Sequence, residues 1–283
     1  MNALKGLTLN IPLGSVYALV GPNGAGKTTA IKILMNIIRP TGGHAEVLGI
    51  ASTRMRGRRF ESIGYVSENQ ELPEWMTVSQ LLNYLRPFYP TWDADLEADL
   101  VGQFHLPPDR KLRHLSRGMR MKAALASSLA YHPELIVLDE PFTGLDPLVR
   151  DELIQSLIDR AEESTIFVSS HDLAEIETFA SHVAYIEEGK LRLAEESGSL
   201  ARRFREVELT FDSLPVLPQK KPENWLQLSA SAAVVRFTDC RFDSERTTAD
   251  IQTVFGQPRS VTFSPMSLRS IFLAMAKSGR NSD

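Results

Sequence analysis

Gly21-Pro22-Asn23-Gly24-Ala25-Gly26-Lys27-Thr28 carries the spacing G-x-x-x-x-G-K-[ST], which forms a phosphate-binding loop when a strand precedes it and a helix follows. Glycines let backbone N–H groups approach a polyphosphate closely, and the helix N-terminus adds partial positive charge. Lys27 supplies a point charge for the β- and γ-phosphates, and the Thr28 hydroxyl can ligate Mg²⁺. Farther along, the apolar run Leu135-Ile136-Val137-Leu138 delivers two adjacent carboxylates, Asp139 and Glu140. At the carboxyl edge of a sheet, beside the loop, Asp139 is placed to hold Mg²⁺ directly or through water. Glu140, pointing to the other side, can polarise an attacking water. His171 follows Ile166-Phe167-Val168-Ser169-Ser170 and emerges at the same edge, where it can hydrogen-bond the γ-phosphate and orient Glu140. Leu115-Ser116-Arg117-Gly118-Met119 reads in isolation as a serine N-cap; its functional reading is a second anion site made by the hydroxyl and helix N–H groups.

The flanking residues supply the elements that must position these groups. Val16–Val20 is a short apolar run expected to be a buried strand, and Thr29–Arg39 has helical spacing at Ile31, Leu34, Met35 and Ile38 before Pro40, Gly42 and Gly43 end it. Leu4, Leu7, Leu9, Ile11 and Leu13 alternate as in a half-buried strand over residues 1–15, and His44–Ile50 and Ile63–Val66 read as further strands. From about residue 69 to 131 the pattern is helical. Thr77-Val78-Ser79-Gln80 is a capping box, Asp93 caps a second helix, and a third opens near Ser116 and runs to Tyr131. Strands return at Leu135–Leu138, Thr165–Ser169 and Val183–Ile186, with a helix announced by Asp146-Pro147 between the first two. This alternation predicts a mostly parallel α/β sheet. Beyond about Ser197 the texture changes: Pro215, Pro218 and Pro222 mark an exposed loop among strand-like runs at Val207–Phe211, Ala233–Thr238 and Val261–Phe263. Ser267 caps a closing helix in this small α+β segment, which carries no catalytic signature.

Composition sets the class. The chain has 283 residues, 23% charged and 43% hydrophobic, with a net charge of −4, as in ordinary soluble globular proteins. That balance gives no case for nucleic-acid binding, and the cluster Arg54, Arg56, Arg58 and Arg59 reads as a solvated face. A single cysteine, Cys240, allows no internal disulfide and fits a reducing compartment. No apolar run approaches the roughly 20 residues of a membrane span, and no signal-peptide pattern opens the chain, so membrane association is expected to come through a partner.

Taken in order, Gly21–Thr28, Ser67-Glu68, Leu115–Met119, Leu135–Glu140, Gly144-Leu145-Asp146 and His171 resemble ATP-binding-cassette (ABC) ATPases over roughly residues 1–195. The form of residues 115–119 and the tail around Leu268–Phe272 are most similar to bacterial exporter-type subunits. The resemblance implies a P-loop NTPase fold of ABC type, with an antiparallel β subdomain beside the parallel sheet. Residues 1–196 would be the nucleotide-binding domain, with a helical subdomain at about 69–131, and 197–283 an accessory α+β domain. It implies ATP and Mg²⁺ as cofactors. Gly21, Pro22, Asn23, Gly24, Ala25, Gly26, Lys27, Thr28 and Thr29 would bind nucleotide, while Thr28, Glu68 and Asp139 would bind metal. Ser116 and Gly118 would contact the γ-phosphate of ATP held by a second copy. The implied partners are that second subunit and a transmembrane permease, placing the chain in the cytoplasm against the inner face of the cell membrane. Three positions depart from the family pattern. Arg117 replaces the first signature glycine, Glu68 stands at the Q-loop glutamine, and Ala3-Leu4 aligns just after the aromatic that stacks on adenine. A soluble ABC-type ATPase of translation or DNA repair, and a module that only holds nucleotide, are the alternatives. The absence of a second cassette and of a long coiled coil weighs against the former, and intact Lys27, Asp139, Glu140 and His171 against the latter.

Overall fold

The computed structural model describes residues 2–68, 70–213, 215–218 and 220–279; Asn69, at the start of the helical stretch, lies outside them. In chain order the elements are β1 (Val16–Val20), α1 (Lys27–Leu34), β2 (Glu46–Val47), β3 (Ile50–Ala51), β4 (Ile63–Ser67), α2 (Val78–Leu85), α3 (Ala94–Gln103), α4 (Arg117–Leu129), β5 (Leu135–Asp139), α5 (Pro147–Ile158), β6 (Thr165–Ser170), α6 (Leu173–Ile176), β7 (His182–Glu187) and β8 (Lys190–Glu196). They continue with α7 (Ser197–Arg203), β9 (Arg205–Thr210), β10 (Trp225–Ser231), β11 (Val234–Asp239), α8 (Ser244–Phe255), β12 (Ser260–Pro265) and α9 (Leu268–Gly279). Two compact units result, Met1–Ala194 and Glu195–Asp283.

The first unit is an α/β layer structure around a six-stranded sheet of order β4-β5-β6-β1-β7-β8. The pairs β4–β5, β5–β6, β6–β1 and β1–β7 are parallel. Parallel strands covered on both faces need apolar side chains on both, and β1 and β6 are buried throughout. Register aligns Ser67, Asp139 and Ser169 in one row, so the segments leaving β4, β5 and β6 emerge on the same edge as the glycine loop leaving β1. The helical stretch is assembled from local signals. Thr77 and Gln80 form a reciprocal capping box on α2, Asp93 caps α3 through Asp95 and Leu96 N–H, and Ser116 caps α4 through Met119 N–H.

Three sequence expectations are corrected. Residues 2–15 form no strand. Leu4, Leu7, Leu9 and Ile11 do pack on the core around Tyr17 and Leu19, but Gly6 and Gly14 at positive φ and the donorless Pro12 interrupt any ladder. The helix expected to reach Arg39 stops at Leu34, because Asn36 turns left-handed at φ 52 and its amide donates to Met55 O at 3.0 Å; Ile38 therefore lies outside it. The single strand expected at His44–Ile50 is a two-residue hairpin, β2 and β3, reversed at Leu48 and Gly49, both with positive φ.

The second unit is a four-stranded sheet of order β10-β11-β9-β12, antiparallel at every pairing, with α8 supplying Ile251 to its core. Trp225 stacks on Phe237 at 4.0 Å between centroids and packs with Val207, Leu209 and Val235. Buried Asp239 is satisfied by Asn224 Nδ2, Arg241 N–H and Thr247 Oγ1, which ties the end of β11 to α8.

The contact of β4 with α4 is tight at Gly64, where a methyl group would sit 2.8 Å from Ser128 O and 3.3 Å from the Pro133 ring. Gly64→Ala must push backbone apart, at a cost of about 1–3 kcal/mol. Thermal unfolding should fall by ~2–4 °C per kcal/mol for a unit of this size. An unchanged midpoint would show that the helix can yield.

Candidate active site

Each functional side chain reaches the sheet edge for a local reason. The loop leaving β1 turns through Gly24 (φ 81) and Gly26 (φ 112), conformations that L side chains avoid, and delivers Lys27 as the first residue of α1. Lys27 is buried, donates to Gly21 O at 2.6 Å and Pro22 O at 3.2 Å, and forms an ion pair with Glu140 Oε1 at 3.0 Å. Gly21, Pro22, Asn23, Gly24, Ala25, Gly26, Lys27, Thr28 and Thr29 thus form one continuous loop and helix start. The N–H groups of this loop and the free end of α1 make an anion cradle. On its outer side Ala3 and Leu4 approach Gly26 and Gly189, with Lys5 N–H bonded to Gly189 O at 2.7 Å.

Asp139 closes the metal side. Its Oδ1 accepts from Thr28 Oγ1 at 3.0 Å and from Ser169 Oγ at 2.7 Å. A carboxylate and a hydroxyl, both hard oxygens, are the donors Mg²⁺ takes, so the residues present fit that ion. Glu68 does not join them. Its N–H donates to Asp139 O at 2.9 Å, but its carboxylate turns to Arg117, with Nη2 2.6 Å from Oε1. An opposite charge within reach on α4 outcompetes the direction toward Asp139.

Glu140 is the best-connected group. It leaves β5 at φ 53, a conformation costing roughly 1–2 kcal/mol for a non-glycine residue. Its N–H is held by Ser169 Oγ at 3.0 Å, and its Oε2 accepts from Thr143 Oγ1 at 3.1 Å. His171 Nδ1 lies 2.7 Å from the same Oε2. A carboxylate only accepts, so Nδ1 carries the proton and Nε2 is free to face outward. Burial pushes the Glu140 carboxyl up, while the contacts from His171 and Lys27 pull it down further, leaving it below the ordinary 4.5.

The structure therefore brings Lys27, Thr28, Asp139, Glu140 and His171 together. Ser116 and Gly118 stand apart from them at the start of α4, where Ser116 Oγ accepts from Met119 N–H at 3.2 Å. Tyr17, the aromatic nearest the loop in sequence, is stacked on His182 inside the core and offers no platform for a base. Sequence reasoning missed Ser169, which bridges Asp139 and Glu140. The available signal was a pair of hydroxyls, Ser169 and Ser170, closing the apolar run Ile166–Val168 at the carboxyl edge. It also missed Thr143 and the Arg117–Glu68 pair.

Comparison with known proteins identifies the family. The family model described as "ABC transporter" matches residues 4–143. The lantibiotic transport ATP-binding protein SrtF of Streptococcus pyogenes is 35% identical over 68% of this chain and 84% of its own length. The chain belongs to the ABC family. Among other ABC relatives, the daunorubicin/doxorubicin resistance protein DrrA of Streptomyces peucetius is 29% identical over 96% of this chain and 87% of that one. An uncharacterised ABC transporter ATP-binding protein of Synechocystis is 35% identical over 71% of this chain, which spans 58% of that relative's length. Two solved ABC structures share the fold. An ATP-binding subunit of an ABC transporter has a TM-score of 0.65 at 26% identity, covering 71% of this chain and 86% of that one. The dimeric structure of a bacterial ABC transporter cassette has a TM-score of 0.63 at 25% identity, covering 69% and 90%. The family is one of ATP-binding, ATP-hydrolysing domains, and among the described residues no helix is long and apolar enough to cross a membrane.

The depressed Glu140 carboxyl is directly measurable. Because its folded value lies below the unfolded one, its contribution to stability is present above about pH 4.5 and lost as pH falls through the folded value. A ¹³C NMR titration of the nucleotide-free protein should place the Glu140 midpoint below 4.5, and His171→Ala should raise it. A midpoint at or above the ordinary value would remove the assigned role of the Lys27 and His171 contacts.

Proposed function

We propose that this chain is the ATP-hydrolysing subunit of a membrane ABC transporter of exporter type. In this reading residues 1–196 form the nucleotide-binding domain, with 69–131 as its helical subdomain and 197–283 as an accessory domain. The observation that carries it is the cluster of Lys27, Glu140 and His171 over the glycine loop, next to Thr28 and Asp139. The drug-resistance, bacitracin and lantibiotic functions named for the relatives support export from the cytoplasmic face through a permease. The dimeric neighbour supports a homodimer.

In the proposed cycle the loop N–H groups of residues 21–29 bind the ATP phosphates, and Lys27 exchanges Gly21 O, Pro22 O and Glu140 for β- and γ-phosphate oxygens. Thr28 and Asp139 would hold Mg²⁺, while Glu68 keeps its ion pair with Arg117. When bound there, the ion would supply positive charge against the negative charge that develops on the phosphates. Glu140, freed from Lys27, accepts a proton from the attacking water. His171 holds Glu140 through Nδ1–H; donating from Nε2 to the γ-phosphate at the same time requires the doubly protonated ring. Ser116 and Gly118 of the second copy close over the γ-phosphate from the opposite side.

Glu140→Gln should bind ATP yet hydrolyse it more slowly by about 10²–10⁴, and accumulate as an ATP-bound dimer by light scattering. Near-normal phosphate release would sink the general-base role. Ser116→Arg loses a helix cap, a cost of about 1 kcal/mol that a melting curve will show. ATP binding by the single subunit should persist while ATP-driven dimerisation is lost. If nucleotide binding collapses instead, Ser116 is a structural cap only.

A further inference from the structure

The two positions at which the motifs depart from the family pattern inside the cassette lie against each other. Arg117 Nη2 donates to Glu68 Oε1 at 2.6 Å. Both backbones are anchored: Glu68 N–H donates to Asp139 O at 2.9 Å, and Arg117 is the first residue of α4, directly after its cap Ser116. The guanidinium also covers the turn after β5, for a methyl group at Gly144 would lie 2.8 Å from Nη1 and 3.0 Å from Cζ. One side chain thereby joins the end of β4, the start of α4 and the turn at Gly144-Leu145-Asp146. A glycine at 117 has no side chain to do this, and glutamine at 68 would leave the arginine without a counter-charge.

We propose that Arg117 is a positioning residue. Its ion pair with Glu68 and its cover over Gly144 hold Ser116-Arg117-Gly118 and Gly144-Leu145-Asp146 of one subunit as a unit, in the arrangement that meets a second copy. The latch lies within one chain, whereas its consequence for assembly rests on the two-copy reading above. The side chains are 45% and 28% exposed, so the effect is a few-fold and salt-sensitive.

The test is a double-mutant cycle in the full chain with Arg117→Ala, Glu68→Ala, the pair together, and the charge exchange Arg117→Glu with Glu68→Arg. Amide hydrogen exchange of the nucleotide-free protein reads residues 116–120 and 143–146. Each single change should speed exchange in both segments by roughly three- to fivefold. The double change should add nothing further, the charge exchange should recover protection, and 1 M NaCl should erase the differences. In a Glu140→Gln background the single changes should weaken ATP-driven dimerisation by the same factor. Additive effects, or no recovery on charge exchange, overturn the latch. A Glu140→Gln parent that stays monomeric with ATP overturns the two-copy reading, and with it the latch's role in assembly. A parent that dimerises equally with and without Arg117 overturns that role alone.

Discussion

The register of four parallel strands is the constraint on which the site depends. Ser67, Asp139 and Ser169 share one row across β4, β5 and β6, and β1 pairs with β6 so that Val20 meets Ser170. Because the strands run the same way, every following segment leaves at one edge, and residues from four distant stretches converge there. A slip of one residue would turn Asp139 away from Thr28 and Ser169 and bury the wrong carboxylate. The strands tolerate no slip because apolar residues fill both faces of the central ones.

Convergence creates an electrostatic problem that the same residues solve. Lys27 and Glu140 are both buried, and an isolated buried charge costs far more than a paired one gains. Lys27 answers with two loop carbonyls and Glu140, and Glu140 answers with Lys27, Thr143 and His171. Ser169 adds the remaining link, donating to Asp139 and accepting from the strained Glu140 N–H. The groups that stabilise one another in the nucleotide-free chain are those that would meet phosphate, metal and water. Binding is therefore an exchange of partners rather than the filling of an idle site, and Glu140 is held in a sparsely populated backbone conformation where strain is tolerated for chemistry.

Where the physics is local, the sequence was legible. A capping side chain acts within three residues, so Thr77 with Gln80, Asp93, Ser116 and Asp146 each mark a helix start that the structure contains. The phosphate loop is legible for the same reason. Where pairing depends on a distant neighbour, reading failed. Residues 2–15 alternate like a strand but find no ladder, whereas Trp225–Ser231, with Leu226, Leu228 and Ala230 alternating with polar residues, does pair as β10 despite a bulge between Leu226 and Ser229. In α8 only Thr247 and Ile251 are buried among polar and β-branched residues, too few to stand out as an apolar stripe.

By itself the sequence determined which groups could do chemistry and in what order they come, since motif spacing encodes backbone turns and helix starts that need only neighbouring atoms. It did not determine what those groups touch. Glu68 looked like a metal ligand until the fold set Arg117 beside it, 49 residues away in the chain. Ser169 looked like a strand end until it proved to join the Asp139 carboxylate to the Glu140 backbone N–H. Contacts of that kind are decided by which strands lie side by side and which helix covers them. Tertiary packing alone specifies that, because Coulomb attraction and hydrogen bonding act across space and not along the chain.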